Sequence, residues 1–295
     1  MDWREHREVG SAAALKVIVW IARALGRPVA RLALPLITIY FLFVARAECR
    51  ASRQFLARVL GRAPTRRDVY RHVHTFAATI LDRFFVLSDQ HDLLDVTVHG
   101  SEIFDTEYRK GRGLIMLGAH FGSFDVLRAI GSYAEAIPIN IVMVPDQGAR
   151  IHATLAAVAP ELAARVIALG QPDTFLRVKE RLDAGEVVGI LGDRGLATDK
   201  TVKLPFLGAS TVWPLGPLLL ASVVGAPVVM FFPIYRGGRR YDIHLELLAD
   251  RIVVDRRNRE AELGQWVERF AACLEPHVRD APYNWFNFYD FWKPR

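Results

Sequence analysis

The chain has 295 residues, enough to bury one large core or two smaller ones. It is 52% hydrophobic with a mean hydropathy of +0.16, yet 24% of its residues are charged. That mix excludes both a disordered chain and a polytopic membrane protein, and it suits a globular body with a membrane-seeking part.

The net charge is +6 and arginine outweighs lysine; the two cysteines, Cys49 and Cys273, lie far apart. They have neither zinc-site spacing nor the density of a disulfide scaffold, which points to a reducing, cytoplasmic environment. The opening MDWREHREVG carries two acids among its first five residues, and no small-residue cleavage site follows the apolar region, so a secretory signal is not expected. Apolar runs then cover residues 12–25 and 32–45, separated by GRPVAR, where Gly26, Arg27, Pro28 and Arg31 break the pattern. Neither run alone reaches the roughly 20 residues of a spanning helix. The second could span if residues 29–32 joined it and Arg31 snorkelled to the interface. Residues 1–45 are therefore expected to form an apolar helical membrane anchor and residues 46–295 an α/β domain that begins with a basic helical region. A buried helical hairpin is the alternative.

Between Arg46 and Arg71 there are eight arginines (46, 50, 53, 58, 62, 66, 67 and 71) against only Glu48 and Asp68. Such a block favours an anionic partner, namely acidic lipid headgroups, an acidic protein or a polyanion; a solvated helix face is the plainer reading. Residues 70–85 place Val73, Phe76, Ile80 and Phe84 at helical spacing and predict an amphipathic helix, with Arg71 and Arg83 extending its basic side.

From residue 96 the pattern turns to short β-branched strands separated by helices. Strands are expected at 96–100, 113–119, 139–144, 165–169, 187–192, 227–235 and 241–247. Helices are expected at 123–134, about 150–165, 173–184 and 214–224, with a loop between 193 and 213. This is the pattern of an α/β fold with a mostly parallel central sheet flanked by helices.

LIMLGA reads as a buried central strand, so His120 falls at its C-terminal end, where open α/β sheets place their ligand crevices. In GAHFGSFD, Gly122 frees the turn, Ser123 is a natural N-cap, and Asp125 would sit in the first turn of the next helix. That spacing would let Asp125 fold back beside the imidazole and orient it as a general base for an alcohol. None of the other eight histidines has an acid five residues on; a satisfied core histidine is the alternative. A second strand ends in Asp193 and Arg194, followed by a loop with Lys200, Lys203 and Gly208. Arg194 could bind phosphate or polarise a carbonyl, and PFLGAST could supply backbone N–H groups; a structural Asp–Arg pair is the alternative. The stretch YNWFNFYDFWKP supplies aromatics that could cap the core, line an acyl channel or sit in a membrane interface, and core capping is favoured.

Together, GAHFGSFD, GDRG with KLPFLGAS, and the strand at Pro227 resemble the bacterial lipid A late acyltransferases of the lauroyl and myristoyl type. These belong to the wider glycerolipid acyltransferase group marked by a His-x4-Asp motif. The likeness spans nearly the whole chain, with Asp125 where such proteins usually carry Glu, and with a tail more like that of aryl-polyene-pathway acyltransferases. The resemblance implies a glycerolipid acyltransferase-like fold, His120 as base and Asp125 as its orienting acid. It also implies Arg194 in the second functional block and an acyl thioester on acyl carrier protein as donor.

The expectation is a membrane-associated O-acyltransferase on the cytoplasmic face of the inner membrane. It would act on a hydroxyl of a lipid A precursor or a related glycolipid or aryl polyene lipid. Gly122, Ser123, Asp193, Arg194, Lys203 and Gly208 are candidate substrate contacts. The expected partners are acyl carrier protein, anionic membrane lipid and the lipid acceptor, with no nucleic acid. No metal site is apparent and no cofactor is called for beyond the acyl-carrier thioester as co-substrate. There is no GxSxG elbow, and neither cysteine adjoins a candidate base, so no acyl-enzyme is expected. The rivals are a serine hydrolase using Ser123 and a non-catalytic protein that binds anionic membranes.

Overall fold

The computed structural model describes residues 12–88, 90–126, 137–144, 164–195 and 198–293. The helix expected near 150–165 lies outside the described residues, as does most of the one expected at 123–134. Three helices open the chain: α1 (Ala12–Val44), α2 (Arg46–Leu60) and α3 (Arg66–Leu87). The two apolar runs form the two halves of α1, which is broken between them at Gly26 by a positive φ of 75°. Beyond that kink, residues Gly26–Val44 make a 19-residue apolar helix, long enough to cross a membrane by length and composition, with 22% of the segment buried.

This segment is inverted relative to an ordinary amphipathic helix. Its inward face carries Arg27, Ala30, Leu34 and Thr38, all buried, while Leu32, Leu36 and Phe43 are 77%, 72% and 70% exposed. The inward charge is satisfied on α3. Arg27 makes a two-pronged bond to Asp82 at 2.8 and 3.0 Å, and Tyr241 donates to the same carboxylate at 2.9 Å. On α3 itself the stripe expected from spacing is only half right, because Val73 is buried whereas Phe76 and Ile80 are exposed. The buried face uses Val69, His72, Leu81, Asp82 and Phe85 instead. Thr65 and Asp68 form a capping box that starts α3 after the Gly61–Pro64 break. All eight arginines of the basic block are exposed on α2, α3 and the turn between them.

Among the described residues the further strands and α-helices, in chain order, are β1 (Asp95–His99), α4 (Ser101–Tyr108), β2 (Leu114–Gly118), β3 (Ile139–Met143), β4 (Val166–Ala168), α5 (Thr174–Asp183), β5 (Val187–Leu191), β6 (Thr201–Phe206), β7 (Ala209–Pro214), α6 (Gly216–Val224), β8 (Val228–Gly237), β9 (Arg240–Ala249) and α7 (Arg259–Asp280). Seven strands form one sheet in the order β1-β9-β8-β2-β5-β3-β4. Every neighbouring pair is parallel except β8 and β9, so the core is a mixed α/β body with a mostly parallel central sheet flanked by helices. All five residues of β2 are buried, as a central strand covered on both faces requires. Ile115 and Leu117 face one hydrophobic cluster with Phe270 and Leu274 of α7, and Leu114 and Met116 face the other with Ala30 and Leu34 of α1.

Three features depart from expectation, the first being helix α4, which falls where no element was assigned between the strands at 96–100 and 113–119. Residues 201–214, expected as loop, form the β6–β7 hairpin, with Phe206 paired to Ala209 across Leu207 and Gly208. Both turn residues have positive φ, 50° and 78°, the geometry that a two-residue hairpin turn needs. Helix α7, unassigned from the sequence, buries Leu263, Val267, Phe270, Ala271, Leu274 and Val278, a helical spacing that is legible in retrospect.

Asp82→Ala would leave Arg27 as an uncompensated buried charge. The expected cost is about 3–5 kcal/mol, read as a lower urea midpoint for unfolding of the full chain in detergent. An unchanged midpoint would mean that α1 is not fastened through this pair.

Candidate active site

Strands β2 and β5 are parallel neighbours, with Gly118 opposite Leu191. Two residues further along each chain that register brings His120 alongside Asp193. The His120 backbone N–H lies 3.1 Å from both Asp193 carboxylate oxygens, and His120 Nδ1 lies 2.8 Å from Oδ1. The carboxylate is almost wholly buried, whereas the His120 side chain keeps a third of its surface open.

Burial alone would raise the Asp193 pKa, but His120, the bonds it donates and the Arg194 guanidinium outweigh burial and hold it at about 2. Asp193 is therefore ionised and can only accept, so Nδ1 carries the proton and the Nε2 lone pair is left facing outward. Burial, with the Arg194 cation second, pushes the imidazole below its ordinary 6.5, against the upward pull of Asp193. The ring's exposed third limits the burial share of that shift, but Arg194 acts in the same direction. His120 is thus a neutral base at physiological pH. Its Nε2 makes no hydrogen bond among the described residues.

The segment after α7 closes this arrangement. Trp285 donates its indole N–H to Asp193 Oδ2 at 3.2 Å, while the Phe286 N–H caps the His120 carbonyl at 2.8 Å. Gly122 N–H donates to the Asn284 carbonyl at 2.8 Å, and Phe121 forms an antiparallel bridge with Trp285. Arg194 donates to the Phe286 carbonyl at 2.8 Å and lies over the Tyr289 ring at 5.0 Å. Behind Trp285, His72 Nε2 bonds its carbonyl at 2.9 Å and Ser52 meets His72 Nδ1 at 2.8 Å. A carbonyl can only accept, so the His72 proton is on Nε2, and burial drops its pKa to about 4, which keeps it neutral. The aromatics Trp285, Phe286, Tyr289 and Phe291 are buried, in line with core capping.

The acid beside His120 is therefore Asp193 and not Asp125, contrary to the spacing argument. Asp125 sits in a 3₁₀ turn (Phe124–Val126) and pairs with Arg83 of α3 at 2.8 Å. The turn is seated flat because Gly189 of β5 leaves room for the Phe124 ring, which a Cβ there would meet at 2.3 Å. Ser123 is buried, and no hydrogen bond joins it to His120, so the nucleophile–base pair of a hydrolase is not formed. Gly122 has φ +62°, and a Cβ there would come within 1.4 Å of the Pro233 carbonyl oxygen. Lys203 and Gly208 are exposed on the β6–β7 hairpin. The N–H groups expected from PFLGAST are drawn into that ladder, and the N–H of Leu207 goes to Glu275 at 2.9 Å. A cleft of about 540 Å³ lined by Gln54, Arg58 and Trp292, and another of about 430 Å³ beside Lys200 and Arg259, do not include His120. The site is defined by its chemistry and not by those hollows. Trp285 was read from the sequence only as one of the tail aromatics, whereas Asn284 and, on α3, His72 carried no signal.

A neutral imidazole backed by a buried carboxylate at the strand ends of a parallel α/β sheet can take a proton from a group bound beside it. Compared with protein families, the chain matches the bacterial lipid A biosynthesis acyltransferase family over residues 5–294, and it belongs to that family. That family points to an acyltransferase acting on a lipid. Comparison with curated protein sequences finds no match.

Gly122→Ala is expected to cost about 1–3 kcal/mol from its positive φ alone. Because the new Cβ must also push Pro233 away, activity should fall more than stability. A variant with wild-type melting temperature and turnover would show that the loop relaxes without cost.

Proposed function

We propose that the protein transfers an acyl chain from an acyl carrier protein thioester to a hydroxyl of a lipid acceptor, with His120 as general base and Asp193 as its orienting acid. The observation that carries this reading is the 2.8 Å contact between His120 Nδ1 and Asp193, with Nε2 open, in a chain of this family. Nε2 removes the acceptor's proton as its oxygen attacks the thioester carbonyl carbon. The tetrahedral intermediate then expels the thiolate, which takes the proton from the imidazolium, giving ester and free carrier thiol. Asp193 fixes the tautomer and stabilises the imidazolium, the role a carboxylate plays in any His–acid pair. Asp125 holds the following turn against α3 through Arg83.

The exposed apolar face of α1 and the arginines of α2 and α3 support a place on an anionic bilayer, at the cytoplasmic face of the inner membrane. The same positive surface suits an acidic carrier protein. The acceptor is a lipid A precursor or a related glycolipid or aryl polyene lipid. Mass spectrometry of lipids from cells with and without the gene, read as the gain or loss of one acyl mass, identifies both substrates; unchanged lipids would sink the proposal.

His120→Ala and Asp193→Asn should each lower turnover by about 10²–10⁴ in a detergent assay with acyl carrier protein thioester. Asp125→Asn should cost far less; the reverse ranking would return the orienting role to Asp125. Because the base must be unprotonated, kcat/KM should rise with pH along a limb set by His120, below its ordinary 6.5, and then level off. Removing the neighbouring cation with Arg194→Gln should move that limb to higher pH, and a limb that stays put would show that Arg194 does not tune the base.

A further inference from the structure

We propose that His99, Asp242 and His244 form a binding site for a divalent transition-metal ion of the zinc class, separate from the His120 site. One ligand atom from each of the three lies within 4.8 Å of the others. The cluster was invisible in the sequence because its members come from strands distant along the chain. β1 runs parallel to β9 with His99 directly opposite His244, and Asp242 lies two residues before His244 on the same face. That face is opposite the one on which Tyr241, Ile243 and Leu245 are buried.

Two features favour an ion over a plain surface cluster, although the two imidazoles, stacked at 4.6 Å with planes 16° apart, have to turn to bring both lone pairs onto one point. His244 Nε2 is buried with no hydrogen-bond partner, a donor atom left unused in an otherwise paired neighbourhood. Asp242 accepts from Arg236 at 2.7 Å through one oxygen, which leaves lone pairs on the carboxylate for a cation. Arg236 is the cation that opposes an ion here, and its charge is shared between Asp242 and Asp280; Glu246 is bonded to His277, whose ring lies 4.9 Å from that of His244.

Two imidazoles and one carboxylate are the donor set of zinc and its neighbours, and three protein ligands leave a fourth position for water. Metal–ligand bonds of about 2.0–2.2 Å put tetrahedral ligands roughly 3.3 Å apart, so the cluster must tighten on binding. The exposed His99, at the end of the edge strand β1, is free to make that movement. The ion would staple β1, which among the described strands pairs with β9 alone, to the rest of the sheet.

The test uses the full chain in detergent, stripped with chelator, then titrated with Co²⁺ and followed by its visible ligand-field band, with Zn²⁺ added in parallel thermal melts. Wild type should bind one Co²⁺ per chain and melt at a higher temperature with Zn²⁺. His99→Ala, at an exposed position, and His244→Ala, checked for folding by circular dichroism, should each weaken binding by at least about tenfold and lose the Zn²⁺ shift. No saturable band in wild type would overturn the proposal. So would undiminished binding in both variants, which would assign the metal to other histidines or cysteines.

Discussion

A carboxylate kept ionised inside a protein is expensive unless every lone pair has somewhere to go. Asp193 meets that condition with three donor groups, the backbone N–H and Nδ1–H of His120 and the indole N–H of Trp285, and with a guanidinium in the next residue. Each of these groups is thereby fixed. The imidazole is held in one tautomer, the strand end of β2 is tied to that of β5, and the tail is drawn across both. What looks like a catalytic arrangement is also the solution to a solvation problem, and neither purpose could be relaxed without disturbing the other.

The tail completes the second half of that solution. Asn284, Trp285 and Phe286 exchange backbone bonds with the 120–122 loop as an added strand would, while His72 and Ser52 secure the far side of Trp285. Trp285 packs edge-on to Phe55, Phe206 and Phe291 with centroids 4.9–5.2 Å apart, a geometry that rings favour. The loop bearing the base is therefore as firmly seated as a strand, although it has almost no regular structure of its own. An imidazole held this way has little freedom left to reorient.

The sheet was readable because its strands are short, apolar and bounded by clear breaks, and β2, with five buried residues, could hardly have been anything else. His120 was readable for the same reason, since it ends that strand. Its partner was not. Proximity in sequence favoured Asp125, but a parallel sheet places neighbours by strand order, and nothing in GAHFGSFD says that β5 lies beside β2. Asp193 was noticed as a charged strand end, yet only the Gly118–Leu191 register turns two strand ends into one pair. The hairpin at 201–214 was hidden for a different reason. Its turn uses Leu207 in a left-handed conformation that a non-glycine residue rarely adopts, so the sequence lacked the usual Asn-Gly signal. The apolar character of residues 26–44 of α1 was readable, but not that Arg27 turns inward with Ala30 and Leu34 while Leu32, Leu36 and Phe43 face out.

The distance along the chain between the base and the segment that braces it bears on how the protein is made. His120 and Asp193 leave the ribosome well before Asn284, Trp285 and Phe286, and α1 leaves before all of them. Domains generally consolidate from the N-terminal side during synthesis. The apolar face of α1 is thus available to a bilayer while Asp193 still lacks its indole donor and the His120 carbonyl still lacks its cap. The order of translation thus leaves a chain still being synthesised with His120 and Asp193 but without the segment that braces them.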